Sequence, residues 1–361
     1  GLAWAISGDI DRAVAVLVAA TPCPLILAVP IAIVAGLSQA AKNGAIIKGG
    51  GILELLAKAE TVLLDKTGTL THGGPAVSDI NTRPGISDDE LLQLAASVDQ
   101  YSPHIVAKAL VEESKKRRMT LTSATEIEEI AGHEIAATIN GARIVVGQMR
   151  YEIPTWLHFS QPLMVAVARD GELIGVIGLD DPIRKESAQM VADLRSAGVR
   201  HIALVTGDRD ETAREVASSV GITEIYSKVT AAGKLEIAEA AKLSTNGSVI
   251  VVGDGINDAP ALAAADVGVA MGARGASAAS EAADVVIVED SIDRLTRAIR
   301  IAKSSRRKAL QAAGLGMGLS FIVMGTGALG ITNASQGAIA QEVIDVIAIL
   351  WALTALKSSA Q

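Results

Sequence analysis

Residues 13–41 contain no Asp, Glu, Lys or Arg. An uncharged run well beyond the ~20 residues that span a bilayer leaves few architectures open. Buried helices of a soluble protein are the other reading, and a poor one at this length. A second uncharged run covers residues 309–341. Gly330 and the polar stretch Asn333-Ala334-Ser335-Gln336 interrupt it, so it reads as a helix, a short turn and a second helix continuing to about residue 356. Between the two runs the sequence is an ordinary polar and apolar mixture. Lys42 and Lys48 flank one end of that middle segment, and Arg306, Arg307 and Lys308 flank the other. The positive-inside rule places the middle segment on the cytoplasmic side.

Inside the middle segment one stretch carries most of the chemistry. Thr61-Val62-Leu63-Leu64 leads into Asp65, and Lys66-Thr67-Gly68-Thr69-Leu70-Thr71 follows. An apolar, β-branched run ending in a carboxylate reads as a buried parallel strand. Open α/β sheets bind ligands at that strand edge. The turn adds three hydroxyls and a glycine, which lets backbone N–H groups approach a phosphate. Two more strand-then-turn stretches repeat the pattern: 201–205 ahead of Thr206-Gly207-Asp208, and 248–252 ahead of Gly253-Asp254-Gly255-Ile256-Asn257-Asp258. The last brings Asp254 and Asp258 near Asp65. Clustered acids suit Mg²⁺, which takes oxygen ligands and few carboxylates, and would repel a phosphate without it. The net charge of −8 argues against nucleic-acid binding. A single cysteine excludes an internal disulfide and a multi-cysteine metal cage.

Asp65-Lys66-Thr67-Gly68-Thr69-Leu70-Thr71 resembles the phosphorylation motif of P-type ATPases, ion pumps of the haloacid dehalogenase-like superfamily. The resemblance implies an α/β fold: a haloacid dehalogenase-like Rossmannoid phosphorylation domain, an inserted α+β nucleotide-binding domain, and transmembrane α-helices. It implies that Asp65 is the nucleophile that takes the γ-phosphoryl of ATP, within a catalytic turn that includes Lys66 and Thr67. Carboxylates do form such covalent intermediates. Thr206 and Gly207 of the Thr-Gly-Asp208 turn would hold the phosphoryl group, Lys234 would neutralise it, and Asn257 would donate to it. Asp65, Thr67, Asp254 and Asp258 would hold Mg²⁺. A soluble phosphatase of the same superfamily is the competing enzyme reading. Those enzymes usually carry a second Asp two positions after the nucleophile; here that position is Thr67.

Thr21-Pro22-Cys23-Pro24 resembles the ion-site helix of heavy-metal pumps, with Thr21 in place of a first thiol or hydroxyl and Cys23 last. The copper-type pair of thiolates is therefore missing, which favours a divalent transition metal. Gln341-Glu342-Val343-Ile344-Asp345 sits where such pumps carry further ion ligands, and its form with Thr-Pro-Cys-Pro resembles a subgroup associated with nickel or iron. Intramembrane carboxylates are functional candidates by default. Glu342 and Asp345 are three apart and are expected to share a face; the alternative puts Gln341 and Glu342 at the membrane surface.

Residues 75–178 read as the nucleotide-binding insert. Residues 91–98 and 105–118 have helical patterns. Residues 135–139, 142–146, 163–168 and 173–179 are strand-like, with Asn140-Gly141 and Asp170-Gly171 as hairpin turns. The family's adenine-site His-Pro and Gly-x-Gly appear in altered form, as His104-Ile105 and Gly132-His133-Glu134. His104 and Gly132 are the expected nucleotide contacts. The full expected division is 1–42, a transmembrane helix with the Thr-Pro-Cys-Pro motif; 43–74 and 179–305, the phosphorylation domain; 75–178, the nucleotide-binding domain; and 306–361, two transmembrane helices.

The family's actuator domain carries Thr-Gly-Glu, a tripeptide that this sequence does not contain. The chain is read as a piece of a longer one. The actuator and earlier membrane helices are expected before Gly1. The resemblance implies ATP-driven export of a metal cation by a multi-pass protein of a bacterial plasma membrane, with transport beyond this piece alone. A non-catalytic membrane fragment that binds metal is the alternative of a different class.

Overall fold

The structure is a computed structural model. It describes residue 5 and residues 8–21, 23–130, 133–157, 163–254, 256–272, 278–288 and 291–357. Strands β1 (Ala45–Ile47) and β2 (Ala59–Asp65) come first. β3 (Ala76–Thr82), β4 (Thr125–Ile130), β5 (Glu134–Ile139), β6 (Ala142–Gly147), β7 (Leu163–Arg169) and β8 (Glu172–Asp180) follow. β9 (His201–Val205), β10 (Glu224–Tyr226), β11 (Ser248–Gly253), β12 (Val267–Ala270) and β13 (Val285–Ile287) complete the set. The residues form two compact units. One holds the described residues up to Leu70 and those from Lys185 onward; the other is Thr71–Arg184.

The first unit is built on a sheet of order β1-β13-β12-β11-β2-β9-β10. β2 lies between β11 and β9 and is parallel to both. Only β1 runs antiparallel, against β13. A central parallel strand is covered on both faces, which is why Val62, Leu63 and Leu64 are all apolar and buried. Parallel registry carries three strand ends to one edge: Asp65 lies opposite Val205, and Leu64 opposite Val252. The turns after β2, β9 and β11 therefore open side by side. The Ala231–Ser244 helix covers one face, with Ala238 packed among Leu63, Val205 and Val251. The Ser187–Ser196 helix is followed by Gly198 at φ +87°, a left-handed position that suits glycine.

Also in the first unit, three candidate spans among the described residues are long and apolar enough to cross a membrane: Ile10–Lys42, Asp293–Ala328 and Ala334–Leu356. The Asp9 carboxylate accepts from the Asp11 N–H and caps a helix that starts at Ile10, so Asp11 and Arg12 are helical. The first span is broken: one helix ends at Ala19 and the next runs Cys23–Lys42 with Pro30 inside it. The Asp293–Ala328 helix runs unbroken through residues 305–306, carrying the basic residues into an apolar span. Asn333 and Gln336 then form a reciprocal capping box at the start of the Ala334–Leu353 helix. Alanines 28, 32, 309, 312, 348 and 352 pack together, and a Cβ on Gly316 would stand 2.2 Å from the Pro24 ring. Without a hydrophobic force inside a bilayer, small residues let helix backbones approach.

The second unit is a six-stranded antiparallel sheet of order β3-β8-β7-β6-β5-β4. Helices Asp88–Asp99 and Ile105–Lys116 share its core, with Leu91, Leu92 and Leu110 fully buried against Ile144, Ile177 and Leu179. Asn140 and Gly141 have φ of +52° and +82°, and Asp170 and Gly171 have +52° and +86°. Two consecutive positive φ values make the tight turn that matches strand twist. Strands β3 and β4 lack the buried apolar residues of the other four; β4, Thr-Glu-Ile-Glu-Glu-Ile, is exposed throughout.

Candidate active site at the strand edge

Asp65 ends β2 with its side chain only 11% exposed. The Lys234 ammonium donates to Asp65 Oδ1 at 2.5 Å and to Asp258 Oδ1 at 2.6 Å. Lys234 reaches the edge because it lies one turn before the packed Ala238 on the Ala231–Ser244 helix, which Thr230 caps through the Gly233 N–H. Carboxylate oxygens of Asp65, Asp254 and Asp258 lie within 4.8 Å of one another. Burial, then repulsion from Asp258, pushes the Asp65 carboxyl up to about 6, although Lys234 draws it down. Three carboxylates converge and two of them share one ammonium, so the donor set fits a hard dication with oxygen ligands.

The glycines here are structural necessities. Gly68 has φ +68°, and a Cβ on it would stand 1.6 Å from Asp254 Oδ2. A Cβ on Gly253 would stand 2.4 Å from Asp258 Oδ2. Between them the backbone makes room for the acids. Thr67 is exposed and extended, at φ −71° and ψ 128°. After β9, Thr206 is buried. Its N–H donates to the Tyr226 carbonyl, and its hydroxyl accepts from the Asp208 N–H at 3.2 Å. That leaves the hydroxyl proton to donate. Lys66 and Asp208 form an ion pair that ties the turn after β2 to the turn after β9. Asn257 is exposed on the short turn Ile256–Asp258, next to the buried Asp258.

The second unit holds a cavity of about 250 Å³ whose lining includes Asp99, His104, Glu129, Glu134 and Gln148. His104 Nδ1 accepts from the Val106 N–H at 3.3 Å, so this histidine caps the Ile105–Lys116 helix while lining the cavity. Glu134 faces Arg150 at 3.5 Å. Gly132 lies outside the described residues. Asp99 was not among the sequence candidates. Its signal was an acid closing a helix whose last turns are otherwise apolar or small.

Among the spans, Gln341 and Asp345 are buried, at 4% and 8% exposed, and their side chains meet at 3.4 Å. Ser320 donates to Gln341 at 3.0 Å, and the Gln341 amide reaches the Thr21 carbonyl at 3.5 Å. Glu342 differs from Gln341 and Asp345 in burial. It is exposed, whereas Asp345 is buried, so burial separates two residues that were expected to act together. At 3.6 residues per turn, the i,i+4 pair Gln341–Asp345 stays closer in azimuth than the i,i+3 pair. Gln341 and Ser320 are what the sequence candidates lacked. The Cys23 side chain lies outside what the structure describes.

Residues 59–266 match the haloacid dehalogenase-like hydrolase family. The cadmium, zinc and cobalt-transporting ATPase of Bacillus subtilis is 36% identical over 359 residues, covering 98% of this chain and 51% of that protein. The probable copper-exporting P-type ATPase V of Mycobacterium tuberculosis is 35% identical over 335 residues, covering 89% and 43%. A crystal structure of a zinc-transporting PIB-type ATPase in its E2.Pi state superposes with a TM-score of 0.77 at 32% identity, covering 93% of this chain and 56% of that one. The chain belongs to the haloacid dehalogenase-like hydrolases, in their heavy-metal P-type ATPase branch. It is a membrane protein, and it spans about half the length of the curated relatives it matches.

Proposed function

We propose that this chain is the catalytic and C-terminal membrane part of an ATP-driven exporter of a divalent transition metal, working through an aspartyl-phosphate on Asp65. The observation that carries this reading is the Asp65–Lys234–Asp258–Asp254 cluster at the edge of a central parallel strand. In the proposed step an Asp65 carboxylate oxygen attacks the γ-phosphorus of ATP. The bond from that phosphorus to the β,γ-bridging oxygen breaks, and ADP leaves with the electron pair. Lys234 keeps Asp65 ionised and meets phosphoryl charge. Thr206, Gly207 and Asn257 hold phosphoryl oxygens, and the Lys66–Asp208 pair fixes the turn that presents them. Asp65, Thr67, Asp254 and Asp258 would hold Mg²⁺, which supplies positive charge against the incoming phosphate. The residue two beyond the nucleophile is Thr67, so no carboxylate there activates water. A persistent acyl phosphate serves coupling to a conformational change rather than simple hydrolysis.

In this reading Thr71–Arg184 is the nucleotide-binding domain, with His104 and Gly132 at the base. The transported ion passes the Thr-Pro-Cys-Pro break, where Cys23 and Asp345 provide ligands beside Gln341. A lone thiol with carboxylate and amide oxygens suits a divalent ion better than copper(I). The catalytic units face the cytoplasm of a bacterium, and a preceding actuator domain completes the pump. The test is metal uptake into inside-out vesicles. The chain joined to its preceding segments is expected to accumulate a divalent transition metal with ATP, and Asp345→Ala to abolish this. This chain alone is expected to bind ATP without uptake. ATP-driven uptake by this chain alone, or full uptake by Asp345→Ala, would contradict the reading.

A further inference from the structure

The Asp293–Ala328 helix carries no acidic residue after Asp293, and the Ala334–Leu353 helix none after Asp345. Where the first of these enters its uncharged run, Arg306, Arg307 and Lys308 stand in succession. No described residue forms an ion pair with any of the three. Earlier cations on the same helix are engaged. Arg297 pairs with Asp293 at 2.9 Å and Arg300 with Asp193 at 3.0 Å, and the Lys303 ammonium donates to the Ala197 carbonyl. Counter-charge from the protein therefore ends about one turn before the span, at the depth where lipid headgroups begin.

Lys308 is placed by an aromatic partner. Its ammonium lies 5.0 Å from the centre of the Trp351 ring, near the end of the neighbouring helix. The Trp351 indole N–H donates to Gln311 Oε1 at 3.4 Å. Gln311 accepts through its oxygen, so its amide N–H groups remain donors. At about 100° per residue, Gln311 falls between Arg307 and Lys308 in azimuth, whereas Arg306 lies about 140° away on the other flank. Guanidinium, amide and ammonium thus share one face and one depth beside an indole, the side chain that favours a membrane interface. One turn deeper, Leu315 follows Gln311 and Ile347 precedes Trp351, and both are exposed. They stand at one level, because a Cβ on the adjacent Gly316 would lie 3.6 Å from the Cβ of Ala348.

We propose that this surface binds an anionic phospholipid, with the phosphate held by Arg307, Lys308 and the Gln311 amide and an acyl chain lying along Leu315 and Ile347. Positive charge and hydrogen-bond donors at the interface, with exposed hydrocarbon beneath, match an amphiphile with a negative head. A zwitterionic lipid offers the same phosphate with a cation attached, which Arg307 and Lys308 repel. Each Lys or Arg near a membrane surface favours anionic lipid by about fivefold. Arg306 shares that general attraction, but it lacks the amide and the indole beside it. A built site therefore ranks Arg307 and Lys308 above Arg306, and a diffuse field does not.

The experiment uses the full chain in lipid vesicles, with Trp4→Phe and Trp156→Phe leaving Trp351 as the only indole. Lipids brominated near the headgroup end of the acyl chain quench an indole on contact. At equal low mole fraction, brominated phosphatidylglycerol is expected to quench Trp351 with about fivefold or higher apparent affinity than brominated phosphatidylcholine. Lys308→Gln or Arg307→Gln should remove most of that preference, and Arg306→Gln should keep it. Native mass spectrometry of the chain with all its tryptophans is a second readout: retained phosphatidylglycerol is expected after detergent exchange, and less of it in Lys308→Gln. The preference is expected to persist when the chain is joined to its preceding segments. Equal quenching by the two lipids overturns the proposal. An equal loss in Arg306→Gln and Lys308→Gln overturns it too, since the attraction is then diffuse. Loss of the preference in the joined chain also overturns it and gives the surface to the preceding segments.

Discussion

At the scale of single residues, the strand edge is a balance of charge in a small buried space. Asp65 is held near 6 by burial and Asp258 against the pull of Lys234. At the proposed Mg²⁺ site, protons and the ion would compete for the same oxygens. The apparent Mg²⁺ affinity, measured by calorimetry, is therefore expected to fall by about tenfold per pH unit as pH drops below about 6. Lys234→Met removes the group that lowers the Asp65 value, so the falling limb should move to higher pH. A limb that stays in place would show that Lys234 does not set the charge of Asp65. Gly68 makes a second, steric demand. Its positive φ and the 1.6 Å approach of Asp254 to the missing Cβ leave no room for Gly68→Ala. We expect that variant to lose about 1–3 kcal/mol of stability in chemical denaturation and most of its Mg²⁺ binding.

At the scale of elements, pattern and placement part company in instructive ways. β2, β9 and β11 were legible because a buried parallel strand is a continuous apolar run ending at a polar turn. The hairpins at Asn140-Gly141 and Asp170-Gly171 were legible because their turn type demands those residues. β3 and β4 were not, since edge and outer strands such as Thr125–Ile130 have too little burial to force alternation. The Asp65 neighbourhood could be read from local motifs, each a strand with its own turn. The Gln341–Ser320 contact and the Asp99 wall could not, because they join residues far apart in sequence on faces that only packing defines. Glu342 and Gln341 differ by one position on one helix, and only the neighbouring helices decide which is buried. Burial of Asp99 has a stability consequence with a definite sign. Its folded value of about 7 lies above its ordinary value of 3.8, so stability is greatest at low pH and falls as pH rises from about 4 through about 7. Asp99→Asn is expected to remove that fall, leaving the Thr71–Arg184 unit more stable at pH 8 by on the order of a few kcal/mol. Urea unfolding at pH 5 and pH 8 checks this; an equal loss in both proteins would show that Asp99 is not the group responsible.

At the scale of the whole molecule, helices long and apolar enough to cross a membrane and a largely parallel sheet with an acidic edge occur in one chain, and the proposed chemistry has to serve both. On the proposed function that chemistry is a phosphoryl transfer to Asp65, governed by metal bound in the spans. The most direct measurement incubates the membrane-embedded chain, joined to its preceding segments, with terminally labelled ATP, Mg²⁺ and one transition metal at a time. The expected result is label on the protein that survives acid, is released by hydroxylamine, depends on one divalent metal and disappears in Asp65→Asn. Label that persists in Asp65→Asn, or no label under any metal while ATP still binds to a folded chain, would contradict it.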